Sequence, residues 1–184
     1  MVKKFLLLLI SVYSLHSHAQ KTITTEVLVI GGGTGGTAAG IQSARLGAKT
    51  IIVEGTPWLG GMISAAGVSA IDGNHRLPSG LWAEFRSQLY KRYGGPEAVE
   101  TGWVSNTLFE PYVADSIFKR MAAAEKNLTV YLNHAFSGVS KNNNKLEAVT
   151  FTNKTNGKTL TIKAKTFIDA TELGDIMKAA GVPY

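Results

Sequence analysis

The chain has 184 residues, enough for one ordinary domain and too few for two sizeable ones. Hydrophobic residues make up 45% and charged residues 17%, which excludes a disordered chain. The formal net charge of +6 comes from scattered rather than striped lysines and arginines, so nucleic acid is not expected as a partner; with no cysteine, disulfides, thiolate metal sites and redox dithiols are excluded.

In chain order, the first feature is a segment that reads as removable. Lys3 and Lys4 precede the apolar run 5–10, which continues weakly through Val12, Tyr13 and Leu15. Ser17-His18-Ala19 then offers small residues to a signal peptidase, with Gln20 as the first mature residue. The run is well short of the roughly 20 apolar residues that a membrane span requires. Residues 1–19 are therefore expected to be a cleaved signal peptide, and residues 20–184 one exported domain, periplasmic or secreted, with no stable membrane span. No Arg-Arg pair favours export of a pre-folded chain. Cleavage removes two lysines and no acid, taking the charge from +6 to +4.

Residues 26–30, Glu-Val-Leu-Val-Ile, predict a buried parallel strand that ends at a glycine. Residues 37–46, rich in alanine, predict a closely packed helix, with Gly47 where a helix-terminating residue belongs. Residues 50–53 predict a second buried strand, with Glu54 at its C-terminal edge. Strand, glycine turn, helix and strand within thirty residues make one βαβ unit.

The stretch 55–80 is rich in glycine, serine and alanine without a clear period, the mark of a long loop that is either functional or disordered. Leu81, Trp82, Phe85, Leu89 and Tyr93 have helical spacing and predict an amphipathic helix over 81–92. Another helix is expected from Pro111 to about Glu125, with Val113, Ile117, Phe118 and Met121 inward. The last third changes period: 128–132, 135–140, 146–152, 158–163 and 166–168 read as strands. Lys141-Asn-Asn-Asn144 and Asn156-Gly157 supply turns, and Thr155, Thr159 and Thr161 suggest a partly solvated hairpin.

Gly31, Gly33 and Gly36, within Gly31-Gly32-Gly33-Thr34-Gly35-Gly36, form G-x-G-x-x-G directly after a strand and opening a helix. Gly31 permits the tight turn, Gly33 lets backbone approach a pyrophosphate, and Gly36 lets the helix pack on the strand. Exposed N–H groups and the positive end of the helix dipole would hold the phosphates. Glu54 lies 18 residues beyond Gly36, near the distance expected of a carboxylate accepting from ribose hydroxyls. A carboxylate there repels a 2′-phosphate and argues against NADP. These residues establish a dinucleotide and do not by themselves choose FAD over NAD.

Two further segments bear on that choice: Gly55-Thr-Pro-Trp-Leu-Gly-Gly-Met62, and Thr166-Phe-Ile-Asp-Ala-Thr-Glu-Leu-Gly-Asp175 followed by Ile176-Met-Lys-Ala-Ala180. With the glycine turn they resemble the FAD-dependent oxidoreductases of the two-dinucleotide-binding-fold type, more narrowly their exported bacterial members, over residues 24–184. The resemblance implies an α/β fold: a Rossmann-like βαβ FAD-binding domain carrying a β-meander or hairpin insertion. It also implies the cofactor FAD and the residues around it. The glycine turn, with Gly31, Gly33, Thr34, Gly35 and Gly36, binds the pyrophosphate, and Glu54 binds the adenosine ribose. Leu59, Gly60 and Gly61 lie beside the pyrophosphate and ribityl chain. The backbone at Ala135-Phe136 touches adenine, and Asp169, Ala170 and Thr171 close the nucleotide-binding half.

The sequence departs from that family in two ways. Many relatives have glycine where this chain has Glu172, which requires a negative φ there or a strained turn. Relatives also continue into a substrate domain, so the chain reads as the N-terminal part of a longer enzyme.

Among other residues, His75 in Asp72-Gly-Asn-His75-Arg76 is a candidate for proton transfer or flavin attachment, against the plainer reading of a solvated loop residue. Ser64, Ser69 and Ser79 have no identifiable base, no spacing suggests a metal site, and Trp58, Trp82 and Trp103 read as packing residues. No catalytic side chain is assigned. The leading expectation is an oxidoreductase in which FAD exchanges a hydride or electrons with a small organic substrate. The rivals are a non-catalytic nucleotide-binding fragment and an NAD-dependent dehydrogenase.

Overall fold

The strand expected at 26–30 is the inner half of a longer one. In the computed structural model, which describes residues 21–73, 75–103 and 105–183, β1 spans Lys21–Ile30. The expected signal peptide lies outside the described residues. Leu28, Val29 and Ile30 are buried, as a central strand covered on both faces requires. Helix α1 (Thr34–Arg45) follows, then β2 (Thr50–Val53), buried along its whole length. Gly47, at φ +93°, ends the helix as predicted. Its N–H reaches the carbonyl of Ala44 and that of Ala48 reaches Ser43, which satisfies carbonyls left over at the helix end.

Helices α2 (Gly80–Tyr93) and α3 (Pro111–Ala123) lie within a residue or two of their expected bounds. Strands β3 (Leu128–Tyr131), β4 (His134–Asn142), β5 (Lys145–Asn153) and β6 (Thr159–Asp169) and the short helix α4 (Asp175–Ala180) complete the chain. The six strands form one sheet in the order β3-β2-β1-β6-β5-β4. β1 pairs in parallel with β2 and β6, β2 pairs in parallel with β3, and β4, β5 and β6 form an antiparallel meander.

Two details differ from expectation. The strands expected at 158–163 and 166–168 are one, because Lys163, Ala164 and Lys165 break the apolar pattern but not the ladder with β1. Lys165 sits across from Glu26 and its Nζ lies 3.1 Å from that carboxylate. Thr161 is buried rather than solvated: it faces Thr150 across the hairpin, their hydroxyls 3.1 Å apart.

The sheet carries two apolar clusters. On one face Val29 and Ile52 pack with Ile41 of α1, Phe85 and Leu89 of α2, and Ile117, Phe118 and Met121 of α3. The alternate residues Leu28, Ile30, Ile51 and Val53 join Val149, Phe151, Leu160 and Ile162 of the meander and Ile176 of α4. Arg45 binds both carboxylate oxygens of Glu84 on α2 and one of Glu125 beyond α3, so a single guanidinium ties the three helices.

Candidate functional site: a dinucleotide cleft at the strand ends

Parallel register decides which residues meet. Ile30, the last residue of β1, pairs with Val53 of β2 and with Asp169 of β6. Gly31, Glu54 and Ala170 therefore emerge side by side at the carboxyl edge of the sheet. The chain leaves β1 for β2 on one side and reaches β6 on the other, so this edge is a topological switch point, where open α/β sheets bind ligands.

The glycine turn is built against its neighbours. Gly31 has φ +103°, and a Cβ there would lie 2.2 Å from the carbonyl oxygen of Ala170. A Cβ on Gly36 would lie 2.0 Å from the carbonyl oxygen of Gly31 and 2.9 Å from Cβ of Ala170. Both glycines are thus required by the chain itself. Gly33 is different: its nearest neighbour would be Oε1 of Glu172, at an ordinary 3.6 Å, and around Gly35 there is nothing within 4 Å. Among the described residues no atom demands a glycine at 33 or 35. The N-terminal N–H groups of α1 have no partner within the helix, Gly33 at its N-cap provides no side-chain cap, and no acid occupies the first turn.

Glu54 holds the turn as well as facing the cleft. Its Oε2 accepts from the N–H of Gly32 at 2.6 Å and its Oε1 from that of Thr56 at 2.7 Å. Two backbone donors fix the carboxylate and leave each oxygen room for another hydrogen bond. Leu59-Gly60-Gly61 docks on the same turn. The N–H of Gly60 donates to Gly32 and the hydroxyl of Thr34 to Gly60, each at 2.8 Å. A Cβ on Gly61 would stand 2.9 Å from Cα of Gly33.

Asp169 does a different job from its neighbours. Oδ1 accepts from the N–H and hydroxyl of Thr171, and Oδ2 from the N–H groups of Ile176 and Met177, so the carboxylate ties the 169–175 turn to the start of α4. Burial pushes this carboxyl up, but the bonds from Thr171, Met177 and Ile176 outweigh it and hold the carboxyl below the usual range. A depressed folded-state value contributes stability above the unfolded value, about 3.9, and loses it as pH falls through the folded one. Wild type should therefore exceed Asp169→Asn in urea stability at pH 7, with a gap that closes below about pH 4. A gap that stays constant down to pH 2 would contradict the assignment.

The glutamate in place of a family glycine causes no strain. Among described non-glycine residues only Asn133 and Asn143 have positive φ, and the left-handed position in this turn falls on Gly174 at φ +70°. The Glu172 side chain leans over Gly33 and Gly61.

Together these segments enclose a cleft of about 520 Å³, lined among others by Gly31, Gly33, Glu54, Gly61, Phe136, Ala170 and Thr171. An adjoining concavity is lined by Thr34, Gly35, Gly36 and Asp169 and shares Gly33, Ala170 and Thr171 with the first. Gly60 is buried beneath both. The glycine turn, Glu54, Gly61, Phe136, Asp169, Ala170 and Thr171 thus lie at one edge of the sheet, whereas Leu59, Gly60 and Ala135 line neither hollow. Among the lining residues not singled out in the sequence are Phe151 and His134, whose Nδ1 lies 2.7 Å from the carbonyl of Leu132 and Nε2 3.3 Å from the amide nitrogen of Asn153.

His75 does not line the cleft; its Nδ1 lies 3.2 Å from the amide nitrogen of Asn106. Trp82 packs as expected, stacked on Phe85 and beneath Arg86. Trp103 does not: it is 92% exposed. Among the described residues no group of three or more His, Cys, Asp or Glu could hold a metal ion, and no helix is long and apolar enough to cross a membrane.

The strand order, the glycine turn and the acid at the end of β2 define a dinucleotide-binding α/β domain. Residues 26–184 match the family described as FAD dependent oxidoreductase, and the chain belongs to that family, whose cofactor is FAD. It is 46% identical over 52 residues to the mitochondrial dihydrolipoyl dehydrogenase of Bos taurus, a match covering 28% of this chain and 10% of that protein. It is 38% identical over 60 residues to the probable fumarate reductase Ifc3 of Shewanella frigidimarina (strain NCIMB 400), covering 32% of this chain and 10% of the relative. Among solved structures, a flavoprotein/dehydrogenase from Cytophaga hutchinsonii superposes with a TM-score of 0.61 at 18% identity, covering 86% of this chain and 42% of the other. The matched segments thus cover about a tenth of the length of these curated relatives.

Proposed function

We propose that the cleft holds the ADP half of FAD and that the chain is the cofactor-binding part of a longer oxidoreductase acting on a small organic molecule. The observation that carries this reading is the open backbone at Gly33, a glycine that no neighbouring atom among the described residues requires. The residues present fit the cofactor, provided that the Glu172 carboxylate, which leans over Gly33 and Gly61, swings aside from the pyrophosphate. Unpaired N–H groups at the start of α1 receive the pyrophosphate, where the helix dipole favours negative charge. Glu54, already oriented by Gly32 and Thr56, accepts from the ribose hydroxyls. Phe136, which lines the cleft, would border the adenine, and Gly61, the member of Leu59-Gly60-Gly61 that lines it, would face the phosphates and ribityl chain. FAD, when bound, supplies hydride or electron transfer. The chain's own part is to bind, orient and shield. Export is proposed with it, on the charged, apolar and small-residue order of residues 1–19.

The test is direct. The purified chain is incubated with FAD, freed of excess, and examined for flavin absorbance and for cofactor released on denaturation. Stoichiometric FAD supports the proposal, and binding of NAD in its place refutes it. Bound FAD that no donor–acceptor pair turns over would favour a nucleotide-binding module without catalysis. Glu54→Ala should weaken FAD binding by about 1–3 kcal/mol, the scale of a charged hydrogen bond left unmade. Unchanged affinity by calorimetry would remove Glu54 from the site.

A further inference from the structure

The Gly60-Gly61 pair cannot place itself. Both glycines have positive φ and no side chain, so their backbone has no local preference for the conformation it adopts. Neighbours hold it: the buried Leu59 side chain, the hydroxyls of Thr34 and Ser64 and, remote in sequence, two side chains of α3.

Asp115 is 8% exposed, and its Oδ1 accepts from the N–H of Leu59 at 2.8 Å. Its Oδ2 lies 2.7 Å from Nζ of Lys119, one helical turn on. The same ammonium donates to the carbonyl of Pro57, also at 2.7 Å. One carboxylate and one ammonium thereby grip residues 57 and 59 from the helix side, while Gly60 binds Gly32 and Thr34 from the other. The lysine also neutralises a buried carboxylate close to where phosphates would lie. Left alone, that charge would repel them through a medium of low dielectric.

We propose that Asp115 and Lys119 are positioning residues that set how closely Gly60 and Gly61 approach the glycine turn, and so set the affinity for the cofactor's phosphates. This rests on the FAD reading of the cleft. Neither residue touches the cleft, so each acts through the backbone it holds.

The experiment uses Asp115→Ala, Asp115→Asn, Lys119→Met and the double variant Asp115→Asn/Lys119→Met. Affinities for FAD, ADP and adenosine are measured alongside amide hydrogen exchange at Gly60 in the ligand-free chain. Asp115→Ala should weaken FAD and ADP by roughly tenfold or more while leaving adenosine, which has no phosphate, within about threefold. Asp115→Asn keeps the acceptor for Leu59 and should stay within about threefold of wild type. Lys119→Met leaves the carboxylate unpaired and should weaken FAD and ADP, and the double variant should recover most of that loss. Exchange at Gly60 should quicken by roughly tenfold or more in Asp115→Ala and not in Asp115→Asn.

Equal losses for ADP and adenosine, or normal phosphate affinity in Asp115→Ala, would overturn the proposal. If Asp115→Ala does not fold, Lys119→Met and its rescue decide the matter through affinity. A wild-type chain that binds no FAD refutes the functional reading instead, and exchange at Gly60 then decides whether Asp115 positions the segment.

Discussion

Gly33→Ala should lower FAD affinity by roughly tenfold or more and Gly33→Val should abolish binding, while the ligand-free alanine variant melts close to wild type. The two halves of that result have separate causes. Gly33 has φ −59° and ψ −179°, which an L-residue adopts without strain, and an added Cβ meets nothing closer than 3.6 Å. The fold therefore tolerates alanine, at about 1 kcal/mol, the scale by which alanine trails glycine at an N-cap. Binding does not tolerate it, because the Cβ would stand where the backbone must approach a pyrophosphate. Calorimetry for FAD and differential scanning calorimetry for the free chain separate the two. Wild-type FAD affinity in Gly33→Ala would mean that the cofactor lies elsewhere.

Gly36→Ala should show the opposite pattern, losing stability first. Its Cβ would be driven to 2.0 Å from the carbonyl oxygen of Gly31, against backbone that cannot rotate away. Helix α1 would have to move off β1, and overpacking of this kind costs about 1–3 kcal/mol, occasionally more. For a domain of this size that corresponds to a melting temperature lower by roughly 3–10 °C. Gly35→Ala is the control: nothing lies within 4 Å of its Cβ, and replacing a helical glycine there should be neutral or stabilising by up to about 1 kcal/mol. Equal melting temperatures for Gly36→Ala and wild type would show that the helix has room that the geometry denies.

These contrasts mark how far the sequence could be read. The βαβ unit was legible because local rules cover it: an apolar run, a glycine turn, a helix with its terminating glycine, and an acid at the next strand's end. Helices α2 and α3 were legible from spacing and from Pro111 at a helix start. Partners distant in the chain were not. The sequence shows that Gly31 and Gly36 are small, but not that both lean on Ala170. It cannot show that Asp115 reaches Leu59, since a single acid on an amphipathic helix looks like any solvated one. The continuity of β6 was hidden because Lys163 and Lys165 break the apolar pattern that marks a strand, although the backbone ladder runs through them. Trp103 fails in the other direction: an aromatic side chain suggests burial, and this one stands in solvent.

The register of β1 with β6 also bears on the order in which the molecule is made. The turn after Ile30 is complete only when Ala170 stands beside it, so a contact spanning well over a hundred residues precedes any working site. Contacts of that separation form late, because the loop between them must first be closed. A ribosome that has delivered the glycine turn, α1 and Glu54 has made every residue of the fingerprint and none of its affinity. Cofactor capture should then track the arrival of β6 rather than of the motif, and nascent chains halted before residue 159 should leave FAD in solution.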